Sequence, residues 1–159
     1  MNINMKRGFS LIEILVVIAI IAILTTLLLP NYIESRQRAK DIQRKSDLKQ
    51  LQTALELYKQ NQNPQVYPDT IPNLPCTAWS LSGVIYMNKV PKEPSSNCSS
   101  PLKYYYSTNG DNTTYTLAAC LENISDPDLQ SCPTGTYNFT DVAGYSCISP
   151  RSCYIVTQP

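Results

Sequence analysis

Apolar and polar positions divide this chain into unlike stretches. From Phe9 to Leu29 the chain is apolar almost without a break, and Glu13 is the one ionisable side chain inside the run. That is about 21 residues, or roughly 30 Å of helix, enough for one bilayer core. Lys6 and Arg7 precede the run and Pro30 closes it. From Glu34 to Tyr58 there is no Gly or Pro, and Leu48, Leu51, Leu55 and Tyr58 recur at three and four as one apolar stripe. Ile33 and Ile42 extend the stripe loosely, with Arg36, Arg38, Lys40, Arg44, Lys45 and Lys49 on the other faces. The pattern predicts one long helix from Phe9 to about Asn61, roughly 80 Å at about 1.5 Å per residue, kinked or locally melted at Pro30. Asn61, Asn63 and Pro64 end it.

The remainder has shorter periods. Pro64, Pro68, Pro72 and Pro75 predict a loop over 62–82, and 83–90 reads as a short strand or a turn into one. Leu102–Ser107 and Thr113–Leu121 are Tyr- and Thr-rich strands around Thr108-Asn109-Gly110-Asp111-Asn112, a hairpin signal. Asp126-Pro127-Asp128 is a turn, and Thr136–Val142 and Tyr154–Thr157 are expected edge strands. The expected class is α+β: a long N-terminal helix packed on a small antiparallel sheet. A head of about 95 residues buries only a modest core. Six cysteines, Cys76, Cys98, Cys120, Cys132, Cys147 and Cys153, all lie in it, as suits an exported domain in an oxidising space. Their 15 pairings are all open to the sequence. Proximity along the chain favours Cys76–Cys98, Cys120–Cys132 and Cys147–Cys153.

Glu13 is the informative residue. A charge at bilayer depth costs roughly 2.5–3.5 kcal/mol on insertion scales, so it calls for a partner. A cut between Gly8 and Phe9 creates one, a new α-ammonium near Glu13 on the same or a neighbouring subunit. Lys6-Arg7-Gly8-Phe9, with Glu13 fifth after the cut and Pro30 beyond, resembles the signal of type IV pilins and type II secretion pseudopilins. The resemblance implies cleavage after Gly8 by a prepilin peptidase, N-methylation of Phe9, and assembly through Glu13 and a helix kinked at Pro30. A secretory signal has an apolar core of about 7–15 residues and a small-residue cleavage site, and Thr25-Thr26-Leu27-Leu28-Leu29-Pro30 offers none. Val66-Tyr67-Pro68, the Val90-Pro91-Lys92-Glu93-Pro94 turn and the Tyr-rich strands also resemble major pseudopilins, although aspartate is more usual at Glu93. The cysteine-rich tail departs from them and looks more like the disulfide-closed loop of type IV pilins. The expected organisation is a leader at 1–8, a transmembrane and assembly helix at 9–29, its amphipathic continuation at 30–62, and an exported head at 63–159.

Charge and chemistry narrow the classes. The net charge is +1, and the excess of bases beside the apolar run reads best as a solvated helix face. The positive leader holds the N-terminus in the cytoplasm and sends the head outward. The chain contains no histidine, which removes Ser–His–Asp and Cys–His catalysis. Calcium is the one ion the resemblance brings in, with Asp126, Asp128 and Asp141 available, but solvated loop acids describe these better. No C-x-x-C pair marks a metal site, and the sequons at Asn97, Asn112, Asn123 and Asn138 fit chance in a Ser-, Thr- and Asn-rich head. Tyr104-Tyr105-Tyr106 reads as sheet packing, and the mildly acidic head gives no nucleic-acid surface. The reading is therefore a non-enzymatic subunit of a homo-oligomeric filament of the pilus or secretion type. The resemblance implies an assembly ATPase and a platform membrane protein as partners. It also implies a single helix in the inner membrane, with the head in an extracellular or periplasmic filament. The alternatives are a minor pilin with a ligand- or DNA-binding head and a membrane-anchored exported domain that never polymerises.

Overall fold

The computed structural model describes residues 9–72, 75–100, 104–132 and 153–158, apart from the side chains of 27–30. The chain divides into two units, Met1–Arg36 and Gln37–Pro159. One helix, α1 (Leu11–Gln60), begins in the first and ends in the second.

Ser10 opens α1, its carbonyl accepting from the N–H of Glu13 at 3.1 Å and of Ile14 at 3.4 Å. Pro30 has no N–H for the carbonyl of Thr26, four residues back. The helix passes through it unmelted, and the stretches Leu11–Thr26 and Asn31–Gln60 meet at a bend over 27–30. By length and composition no single helix among the described residues crosses a membrane, whereas that bent pair qualifies together. Thr25 and Thr26 return their hydroxyls to the carbonyls of Ile21 and Ile23 at 2.8 and 2.7 Å. Neither hydroxyl is left to be satisfied outside the helix.

In the second unit, Leu48, Leu51, Ala54 and Leu55 of α1 form the core with Tyr67, Trp79, Tyr86, Val90, Tyr104, Tyr115, Leu117 and Ala119. The stripe at Leu48, Leu51 and Leu55 is as expected, but Ile33 and Ile42 are exposed rather than part of it. Their spacing carries them off the buried face, which Asp41 and Arg44 continue instead.

Two antiparallel sheets cover this face. The first is a hairpin of β1 (Trp79–Leu81) and β2 (Val84–Met87). The expected loop over 62–82 therefore contains a strand. Its turn places Ser82 and Gly83 at φ 52° and 83°, the two left-handed residues that let a tight turn follow the strand twist. The second sheet has the order β3-β4-β5, with β3 (Tyr105–Thr108), β4 (Tyr115–Cys120) and β5 (Cys153–Thr157) all antiparallel. The predicted hairpin joins β3 to β4. Asn109 closes it by accepting from the N–H groups of Thr113 and Thr114 at 2.8 and 3.1 Å. The predicted strand at Tyr154–Thr157 is β5, whereas Thr136–Val142 lies outside the described residues.

Cys76–Cys98 is bonded as expected, but Cys132 bonds Cys153, so Cys120–Cys132 and Cys147–Cys153 do not form. The backbone explains the exchange. Gln130 and Cys153 trade hydrogen bonds, N–H to carbonyl, at 2.8 and 3.1 Å, which carries Cys132 to the start of β5. Proximity along the chain misses this, because β5 returns between β4 and the Gln130 segment. Cys120 is also disulfide-bonded, and Cys147 lies outside the described residues.

Candidate functional site

The apolar end of α1 is the candidate site. Along it the large apolar side chains of the described residues are exposed, from 47% at Val17 to 82% at Leu11. A continuous apolar surface of this kind marks a membrane or another protein as its surroundings. Phe9 is itself exposed, and Glu13 sits in the first turn of α1. There the unpaired N–H groups of the helix end favour a negative charge. Gly8 and the rest of the expected leader lie outside the described residues. Pro30 falls at the bend, where the sequence places the change of helix direction.

A second constellation fastens the head to the helix, and charge patterning alone missed it. Arg44, expected on a solvated face, is 2% exposed. Its guanidinium donates from Nη1 to Asp41 Oδ1 at 2.7 Å and from Nη2 to Glu122 Oε1 at 2.6 Å. It also donates from Nε to Glu93 Oε1 at 3.1 Å, with Nη2 bonding the same oxygen. Asp41 accepts in turn from the N–H groups of Glu122 and Asn123, and Glu93 from that of Ser95. One planar cation thus ties two loops to α1. Burial opposes the Arg44 charge, yet the bonds to Glu122, Glu93 and Asp41 outweigh it and raise the pKa. Every buried side-chain nitrogen and oxygen among the described residues has a partner. The sequence signal was available. Asp41, Arg44, Leu48, Leu51 and Leu55 share the three-and-four spacing, so the pair lies on the stripe, not opposite it.

Next along the helix, Asp47 accepts from the Tyr104 hydroxyl at 2.6 Å. Burial raises the Asp47 pKa, and burial with the Asp47 bond raises that of Tyr104. The tyrosine run is therefore packing: Tyr104 is buried and Tyr106 donates to the Pro68 carbonyl at 2.6 Å. Lys45 turns to the following loop, its Nζ 2.6 Å from Asp126 Oδ1 and 2.6 Å from Asp128 Oδ2. Calcium does not fit these two acids. It wants about six to eight oxygens at about 2.3–2.6 Å, and an ammonium already stands between them. Asp141 lies outside the described residues, and among those described no three acids, cysteines or histidines gather as a metal site.

Residues 3–29 match the family model described as the prokaryotic N-terminal methylation motif. The chain is 34% identical over 101 residues to the type II secretion system core protein G of Escherichia coli, covering 58% of this chain and 68% of that protein. It is 32% identical over 126 residues to the core protein G of Pseudomonas aeruginosa, covering 72% and 84%. It is 48% identical over 49 residues to the type IV major pilin protein PilA of Myxococcus xanthus, covering 31% and 22%. No solved structure matches the chain.

Proposed function

This chain belongs to the type II secretion system core protein G family, whose members are pilin-like filament subunits, and we propose that it builds a secretion-type pseudopilus. Similarity to the core protein G relatives covers more of the chain than similarity to the pilin, which favours the secretion type. The observation that carries the reading is the apolar N-terminal part of α1, whose described large side chains from Leu11 to Leu24 are exposed, in a chain whose head has its own filled core. Such a helix is at home in a bilayer before assembly and among copies of itself afterwards.

Cleavage follows Gly8, and Phe9 becomes the methylated N-terminus. Glu13 of one subunit meets that new ammonium, its own or its neighbour's, while the helix leaves the membrane. A prepilin peptidase, an assembly ATPase and a platform protein serve the process. The N-terminus faces the cytoplasm and the head is exported. The organisation is a leader at 1–8, an assembly helix at 9–29, its continuation at 30–62 and a head at 63–159.

The test is the intact mass of membrane-extracted protein from hosts with and without the prepilin peptidase. The expected result is a peptidase-dependent loss of Met1–Gly8, leaving one methyl group on Phe9. An uncut chain, or a cut beyond Leu29, overturns the reading in favour of an anchored or secreted domain that does not polymerise.

A further inference from the structure

The loop Glu122–Gln130, between β4 and the segment that bridges to β5, is held at three points. At its start, Asp41 accepts from the N–H groups of Glu122 and Asn123. At its end, Gln130 pairs with Cys153. In its middle, two carboxylates converge on one cation. Lys45 Nζ lies 2.6 Å from both Asp126 and Asp128, and 5.3 Å from the centre of the Tyr154 ring on β5. The loop's own bonds shape the acids for this. Asp128 donates its N–H to Asp126 Oδ1 at 2.9 Å, Leu129 to the Asp126 carbonyl at 3.3 Å, and Ser125 to Asn123 Oδ1 at 3.1 Å.

Two carboxylates two residues apart repel, and without a cation between them the turn at Pro127 would splay. An ammonium has three donors. Here two are spent on the acids, and the charge faces the Tyr154 ring, within reach of a cation–π contact. The Lys45 side chain is 19% exposed and that of Asp126 13%, so solvent screens this pair less than an open surface pair.

We infer that Lys45 is a built-in counter-ion that positions the Glu122–Gln130 loop, whose conformation is therefore set by helix α1 and not by a bound divalent cation. The inference does not depend on the filament reading. It assigns Lys45 a positioning role through Asp126 and Asp128.

The test is hydrogen–deuterium exchange of the full chain in detergent, in calcium chloride and in EGTA, with β3–β4 peptides as the folding control. Wild-type loop amides should exchange alike in both solutions. In EGTA, Lys45→Arg, which keeps the charge, should hold the loop, whereas Lys45→Met, which keeps only the stem, should exchange about tenfold faster at Ser125–Leu129. Asp128→Asn, at a position 55% exposed and so tolerant of change, should exchange several-fold faster at Asp128 and Leu129. Wild-type protection that falls in EGTA overturns the inference. So does a Lys45→Met loop as protected as that of Lys45→Arg, or unchanged exchange in Asp128→Asn.

Discussion

At Arg44 three carboxylates share one guanidinium in a buried setting. Removing it leaves Asp41, Glu93 and Glu122 facing one another without that charge. Arg44→Leu should therefore lower the stability of the head by roughly 3–5 kcal/mol in a urea titration. Arg44→Lys should recover only part of the loss, because one ammonium cannot span the planar fork. Asp47 and Asp126 respond to pH in opposite senses. Burial raises the Asp47 pKa, so the folded state holds its proton longer than the unfolded chain, and stability falls as pH rises through that window. Asp126 is pushed up by burial but down further by Lys45 and the Asp128 N–H. Its share of stability is present above the ordinary aspartate range and lost as pH falls below it. Urea midpoints measured from acid to neutral pH should show the Asp47 slope vanish in Asp47→Asn and the acid loss shrink in Asp126→Asn. These roles were hard to read in the sequence. A lysine or arginine among helix-forming residues looks solvated until the loops that supply its partners, about 49 to 83 residues away, are folded against it.

At the scale of elements, α1 was the most legible part. Leu48, Leu51 and Leu55 recur on one face, and all three are fully buried. Leu51→Ala should cost about 2–5 kcal/mol. Ile42→Ala, at a position 68% exposed, should stay within about 0.5 kcal/mol in the same urea titration. The β3–β4 hairpin was legible for a local reason: Asn109 and Gly110 give the turn, and Tyr- and Thr-rich runs give the flanks. β1 was not, since three residues amid prolines make no pattern of their own. Trp79 is placed there by stacking on Tyr58 at 5.9 Å and by lying 5.8 Å from Tyr86, partners that only the folded chain supplies. Pro30 was legible as a bend, because its missing N–H acts within one helical turn.

For the whole molecule, the apolar end of α1 and the head serve different surroundings. The first exposes its large apolar side chains, and the second is filled and cross-linked. Glu13→Ala should leave cleavage after Gly8 intact and reduce filament yield, measured as sheared filament per cell; normal yield would remove the role given to Glu13. The cysteine bonds divide in legibility along the same lines as the folds that make them. Cys76–Cys98 joins cysteines that are neighbours along the chain, whereas Cys132–Cys153 depends on β5 returning beside Gln130. Replacing Cys132 and Cys153 by serine together should cost about 2–4 kcal/mol in head stability, read from a urea titration.

That return of β5 also sets an order of events. β4 is the middle strand of its sheet, yet one of its neighbours is the last of the described strands. While the polypeptide is still emerging from a ribosome or a translocon, β4 has only β3 beside it, and the edge of β4 from Thr116 to Cys120 is unpaired. The head is therefore a late-maturing structure. Closure of Cys132–Cys153 waits for β5, and a chain stalled short of Cys153 would present an open strand edge to chaperones and proteases.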